Sequence, residues 1–137
     1  MLDTERLVTY IGNVLDKECF EVTSANFDKA IKVTGKGKAK ECGVWIRIEI
    51  YGDDIIFNVN SVYLQHNFRG KGILTKICKA AIDSGEITGI EVTGVSTDEM
   101  HAWCRKRNMI EDKQKMKYTY KLKQTSKESD STCLEIN

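Results

Sequence analysis

Between Val44 and Tyr51 the chain alternates without a fault, with Val44, Ile46, Ile48 and Ile50 on one side and Trp45, Arg47, Glu49 and Tyr51 on the other. A period of two sets one row against a core and the other away from it, which predicts a strand. Gly52-Asp-Asp54 turns this strand into a partner running from about 55 to 65, whose inward row begins Ile55, Phe57, Val59. The phase then slips. Unbroken alternation would bring Ser61 and Tyr63 inward, whereas the aliphatic residues are Val62 and Leu64. A one-residue slip in a regular strand predicts a β-bulge at Asn60-Ser61, with a local bend and a broken ladder.

Upstream, residues 2 to 16 carry a helical stripe of Leu7, Val8, Ile11, Val14 and Leu15, with Asp3 or Thr4 as cap and Glu5 in the first turn. Short strands follow at 18 to 24, around Phe20 and Val22, and at 28 to 35, with Ile31 and Val33 inward. Between them and the Val44 strand lies Gly35-Lys-Gly-Lys-Ala-Lys40, read either as a solvated hairpin turn or as a basic contact for an acidic partner or a phosphate.

Downstream, Val62-Tyr-Leu runs through a loop holding Arg69, Gly70, Lys71 and Gly72 into a helix marked by Ile73, Leu74, Ile77, Cys78, Ala81 and Ile82. A strand that feeds a glycine-bearing turn at a helix N-terminus makes a phosphate cradle. The first N–H groups of the helix have no internal partner, and its dipole places partial positive charge there. The helix ends near Ser84-Gly85, and a strand at 90 to 96 follows. Strand, helix, strand favours a right-handed parallel crossover, setting 90 to 96 beside 55 to 64 with the loop beyond their carboxyl ends. Another helix runs from Ser96, paired with Glu99 in a capping box, to about Arg107. One last strand spans 115 to 123, and residues 124 to 137 read as a flexible polar tail.

Composition narrows the picture. A length of 137 residues suits one domain, and a net charge of +1 gives no general case for nucleic acid or a membrane surface. No signal pattern or apolar run of membrane-spanning length is present, so the expectation is a soluble cytoplasmic protein. The five cysteines are odd in number and form no C-x-x-C pair, which argues against a disulfide framework and against a zinc or other metal site.

The segment Arg69-Gly-Lys-Gly-Ile73 resembles the acyl-CoA signature of the GNAT N-acetyltransferases, an Arg or Gln followed by x-x-Gly-x-Gly or Ala, with Leu74 in place of the final small residue. A second stretch, Thr97 to Met109, resembles the family pattern Asn-x-x-Ala-x-x-x-Tyr-x-x-x-Gly-Phe, with Thr97, Met100, Cys104, Asn108 and Met109 at the marked positions. The resemblance covers about 60 to 123, by order of elements more than by identity. The family opens with a strand, whereas this chain is expected to open with a helix. It implies one domain over 1 to 123 of the α+β (broadly α/β) class. That domain is a GNAT-like central mixed, mostly antiparallel sheet with a parallel, splayed strand pair, flanked by helices.

The same resemblance implies acetyl-CoA as acyl donor, held by Arg69, Gly70, Lys71, Gly72, Ile73 and Leu74, with Tyr63 and Leu64 along the pantetheine arm and Thr97 also among the cofactor-binding residues. Val62, likewise cofactor-binding, and Ser61 then fall near the thioester. Cys104 occupies the place of the family's tyrosine, a general acid, and Tyr63, Tyr118 and Tyr120 are other sources of a phenol. His101, three residues before Cys104, is either a relay partner or a surface histidine. Glu49 is the carboxylate candidate for general base, or else a surface partner of Arg47. His66 adjoins the loop, and Glu5 and Tyr10 lie on the helix expected near the acceptor.

The reading is an N-acetyltransferase acting on an amine of a small molecule or of a protein, with no membrane partner, and a homodimer is compatible with it. The rival reading is a GNAT-fold protein with impaired catalysis that works as an interaction module. A nucleic-acid module built on the basic segments 35–40 and 105–117 is the weakest of the three, because acids are interspersed.

Overall fold

The computed structural model describes residues 2–122; the tail expected over 124–137 lies outside them. Its first helix, α1 (Thr4–Val14), starts where the Asp3 side chain accepts a hydrogen bond from the Arg6 N–H at 3.0 Å, so Asp3 and not Thr4 is the cap. Strands β1 (Phe20–Ala25), β2 (Ala30–Gly35), β3 (Gly43–Tyr51) and β4 (Asp54–Tyr63) then form an antiparallel meander. Helix α2 (Ile73–Asp83) carries the chain over to β5 (Gly89–Thr93), which lies parallel to β4. After α3 (Asp98–Lys106), β6 (Ile110–Asp112) and β7 (Lys117–Lys121) close a seven-stranded sheet in the order β1-β2-β3-β4-β5-β7-β6. The fold is α+β, with a mixed, mostly antiparallel sheet and one parallel pair.

Cross-strand partners share a face of a sheet, so the register shows how the molecule is layered. Ile31, Ile46 and Val59 line up across β2, β3 and β4, and Val59, Val92 and Tyr118 continue the row through β5 and β7. These residues are buried with Leu7 and Ile11 of α1, Ile77 and Cys78 of α2 and Cys104 of α3. The described helices therefore cover a single face. A shared acceptor locks α3 to α2: Thr75 Oγ1 receives Trp103 Nε1 at 3.0 Å and Arg107 Nη2 at 2.8 Å, while the Arg107 guanidinium lies over the Trp103 ring.

Three expectations need correction. Ile50 faces the helix side but is 56 % exposed, because its partner Ile55 belongs to the end of the β3–β4 hairpin, past the helices. The α3 cap is Thr97, whose hydroxyl accepts from the Met100 N–H at 3.2 Å; the proposed Ser96–Glu99 box starts one residue too early. The last strand is preceded by β6, whose three residues are too short to display a period. The basic segment 35–40 is, as expected, a hairpin turn with exposed Lys36, Lys38 and Lys40, joining β2 to β3 through a 3-10 turn at Gly37–Ala39 and packed so closely that a Cβ at Gly35 would collide with the Ala39 carbonyl. Gly35 serves close approach, whereas Gly37, with φ +55°, supplies the left-handed backbone of the turn.

Phe57, with no exposed surface at the centre of β4, and Ile50 give opposite expectations. Phe57→Ala should lower the unfolding free energy by about 3–5 kcal/mol through lost burial and a residual cavity. Ile50→Ser should change it by less than ~0.5 kcal/mol. Urea denaturation measures both, and a large loss at Ile50 would contradict the layering.

Candidate functional site

The site forms where β4 leaves β5. Their ladder runs only from Ile56 opposite Gly89 to Val59 opposite Val92. On the other side of β4 the register to β3 jumps from Val59 opposite Ile46 to Ser61 opposite Trp45, leaving Asn60 as the extra residue. This is the bulge that the phase slip predicts. From Ser61 to Tyr63 the strand still pairs with β3 but no longer with β5, so its β5-facing backbone groups border a gap. A lone strand edge of this kind offers main-chain donors and acceptors to an extended ligand.

At the open end of the gap stands the N-terminus of α2. Gly72 caps it with φ +74°, and Gly70 has φ +72°, both in the left-handed region that glycine adopts at no steric cost. The first backbone bond of the helix runs from Lys76 N to Gly72 O, so the amides of Ile73, Leu74 and Thr75 have no acceptor within the helix. Arg69 folds back, its Nε donating to the Leu64 carbonyl at 2.8 Å, which fastens the loop to the strand exit. Lys71 is exposed beside it, while Ile73 and Leu74 point into the core. Leu74 is thus a packing residue, and its size does not obstruct the amides.

Gln65 ties the same strand exit to the basic turn. Its Oε1 accepts from Glu41 N at 2.7 Å, its Nε2 donates to Lys38 O at 3.0 Å, and its own N–H points at Cys42 Sγ. No pattern along the chain singles it out.

The sheet face opposite the helices holds a polar network. The Glu49 carboxylate accepts from Arg47 Nη2 at 2.8 Å, Asn58 Nδ2 at 3.1 Å and Tyr51 Oη at 3.2 Å. Asn58 Oδ1 and Asn60 Oδ1 share the Thr93 hydroxyl at 3.1 and 3.2 Å, which joins the end of the ladder to the bulge. Partial burial pushes the Glu49 carboxyl up, but hydrogen bonds from Arg47, Asn58 and Tyr51, with the Arg47 charge, outweigh it and hold it below the usual range. Asn58, only 3 % exposed, sits in the apolar run Ile55-Ile56-Phe57-Asn58-Val59, the one signal in the sequence for this cluster. Nothing marked Thr93.

Beside the bulge the same face is hollowed into a groove of about 410 Å³ lined by Lys32, Glu41, Trp45, Ser61 and Tyr63, among others. Lys32 Nζ lies over the Trp45 ring, 5.2 Å from its centroid.

On the helix side, Cys104 has no exposed surface, and burial first, opposed by nearby arginine charge, pushes its thiol up to about 12. The thiol of Cys78 behaves likewise. His101 does not turn to Cys104: its Nδ1 sits 2.8 Å from Tyr118 Oη, and the two rings meet edge to face. Tyr118 is buried opposite Val92, the last β5 residue paired to β4, while His101 is half-buried. Thr97 lies exposed at the start of α3, its hydroxyl spent on the cap. His66 is exposed in the short 3-10 turn His66–Phe68. The structure therefore brings together Ser61, Val62, Tyr63, Leu64 and the 69–74 loop along one gap, sets Glu49 one strand away, and seals Cys104 off.

No protein-family model matches the sequence, and no curated sequence does either. Among solved structures, one similar to this chain is the crystal structure of the NatC complex bound to Gag peptide and CoA, at 12 % identity and a TM-score of 0.48, covering 87 % of this chain and 92 % of that one. A likeness at that score carries no argument by itself.

The Glu49 network predicts a titration. Because the folded carboxyl is held low, the network persists until pH falls through that depressed value, and its contribution to stability is complete above the unfolded value. Asn58→Ala removes one donor and should move the Glu49 midpoint upward, read from its carboxyl carbon by NMR. A midpoint at or above the ordinary glutamate value in the wild type would refute the network.

Proposed function

We propose that the chain transfers an acetyl group from acetyl-CoA to an amine in the gap between β4 and β5. The observation that carries this reading is the bulged, half-unpaired β4 ending at a glycine-capped helix N-terminus. One element offers main-chain partners to an extended arm, and the other offers amides and dipole to a pyrophosphate. The unpaired amides of α2 and the absence of side chains at Gly70 and Gly72 fit that group. The charges of Arg69 and Lys71 add to the cradle, while Val62, Tyr63 and Leu64 would line the arm. When bound, acetyl-CoA supplies the activated acyl carbon.

The residues of the chain then divide the work by position. Ser61, beside the bulge, faces the place where the arm would end. Glu49 remains ionised across the neutral range, so its carboxylate can draw a proton from an incoming ammonium through a water. Its low basicity makes it an acceptor that works by proximity more than by strength. Cys104 keeps its proton but has no surface from which to deliver it. In this reading proton return passes to the His101–Tyr118 pair, whose imidazole is half-buried on the first turn of α3, at the carboxyl end of β5. A soluble, cytoplasmic setting fits the free cysteines Cys19, Cys42, Cys78 and Cys104 and the absence, among the described residues, of any helix long and apolar enough to cross a membrane.

The sealed thiol also favours a second reading, in which the fold binds CoA weakly or not at all and acts through contacts with a protein partner. Calorimetry with acetyl-CoA separates the two. The wild type should saturate, and Gly72→Glu, which sets a carboxylate on the cradle, should bind at least about tenfold more weakly, equivalent to ~1.4 kcal/mol. Equal affinity in the two proteins would move the pyrophosphate elsewhere. An absence of binding at millimolar ligand would leave the interaction module.

If turnover is found, Cys104→Ala should leave kcat within about twofold, whereas His101→Gln should lower kcat with little change in KM for acetyl-CoA. The reverse pattern would return the acid role to the thiol.

A further inference from the structure

Past Tyr63 neither ladder of β4 continues. Tyr63 opposite Gly43 is the last pair with β3, and pairing with β5 has already stopped at Val59. Backbone groups that leave their ladders seek other partners, and a strand edge across a gap is one such partner. Gln65 holds the exit away from it. Its side-chain amide takes both partners from the turn between β2 and β3: Oε1 accepts from Glu41 N at 2.7 Å, and Nε2 donates to the Lys38 carbonyl at 3.0 Å. Its own N–H points at Cys42 Sγ, 3.4 Å away, and its carbonyl accepts from Phe68 N at 2.8 Å. The Phe68 ring in turn meets Phe20 of β1 edge to face, with centroids 5.8 Å apart. In the order β1-β2-β3-β4-β5 these anchors all lie on the side of β4 away from β5. From the loop, Arg69 Nε fastens the Leu64 carbonyl at 2.8 Å. Two adjacent residues, Leu64 and Gln65, are thus tied by different elements, one by the loop and one by the turn.

We propose, on the acetyl-CoA reading above, that Gln65 is a positioning residue: it holds the gap between β4 and β5 open in the free protein, so that the arm of the acyl donor enters a slot already formed. A primary amide suits this task because it accepts from an N–H and donates to a carbonyl at once, as a peptide unit does. The Gln65 side chain therefore adds one more rung between the β4 exit and the β2–β3 turn after the main-chain ladder has ended. A slot formed in advance spares the ligand the cost of ordering the strand exit when it binds. Glutamate at this position would keep the acceptor and lose the donor, and methionine would lose both.

Backbone amide NMR and calorimetry with acetyl-CoA on the full chain test this. Gln65→Met should speed deuterium exchange at the Glu41 N–H by about tenfold or more, which verifies that the tie is gone. The amides of Ser61 to Leu64, sharp in the wild type, should broaden through exchange on the microsecond-to-millisecond scale. Affinity for acetyl-CoA should fall at least about fivefold, and saturating acetyl-CoA should sharpen the broadened amides again. Gln65→Glu should move the broadening and the affinity in the same direction. Faster exchange at Glu41 with sharp amides at Ser61 to Leu64 and an affinity within about twofold of wild type overturns this proposal alone. Broadening that saturating ligand fails to remove overturns it too, since Gln65 would then serve the fold and not the slot. No binding of acetyl-CoA by the wild type at millimolar ligand overturns the acetyl-CoA reading and this proposal with it.

Discussion

One surplus residue in β4 governs the arrangement of everything near the candidate site. With Asn60 inserted, β4 keeps its partner on the β3 side and loses its partner on the β5 side after Val59. Without it, Ser61 and Tyr63 would turn into the core and Val62 and Leu64 would turn out, an inversion that no apolar core tolerates. The bulge restores the phase and opens the gap in the same stroke. It is also pinned from the β5 side, because the Thr93 hydroxyl lies between the side-chain carbonyls of Asn58 and Asn60, before and after the break. A single hydroxyl hydrogen serves two acceptors there, which ties the position of the bulge to the last paired turn of the ladder.

A one-sided helix layer follows from the same sheet. Face residues such as Ile46, Val59, Val92 and Tyr118 need cover, and α1, α2 and α3 supply it. The opposite face carries Arg47, Glu49, Asn58, Glu91 and Lys117, which satisfy one another: Arg47 and Asn58 on Glu49, Lys117 Nζ on Glu91 at 3.3 Å. Asn58 is almost fully buried on a face without helices because its neighbours in this network enclose it. An exposed ion pair contributes little to stability. In the proposed function Glu49 serves instead as a hydrogen-bonded carboxylate held at a fixed place one strand from the gap.

How far the sequence spoke for this arrangement depended on the range of each signal. Alternation between Val44 and Tyr51 is a local property, and it located β3 and, through its failure at Asn60-Ser61, the bulge. The loop around Gly70 and Gly72 announced a helix N-terminus for the same reason, since left-handed backbone and orphan amides are consequences of a few adjacent residues. Asn108, expected to tolerate a left-handed exit from the last helix, has φ +60°. The signals failed where the partner was distant. His101 meets Tyr118 across 17 positions and Gln65 meets Lys38 across 27, and neither pairing leaves a pattern in one chain. Cys104 illustrates the limit most sharply: its place in a helical pattern was legible, but which way that face of α3 turned was decided by Thr75, Trp103 and Arg107, which lock α3 onto α2.

The departures from the expected motif become consistent once main chain and side chain are separated. The proposed pyrophosphate cradle would need amides and room, both of which the backbone of the 69–74 loop can offer, so Leu74 can turn into the core without cost to it. Arg69, the most conspicuous charge of the motif, spends its Nε on the Leu64 carbonyl and so fixes the distance between the strand exit and the helix. Its replacement by lysine would keep a charge but lose the directed planar donor that spans loop and strand. Geometry at this site is thus held by hydrogen bonds among the chain's own groups, from Arg69 at one end of the gap to Thr93 at the other. On the proposed reading, side-chain identity is free to vary wherever only the backbone would face the ligand.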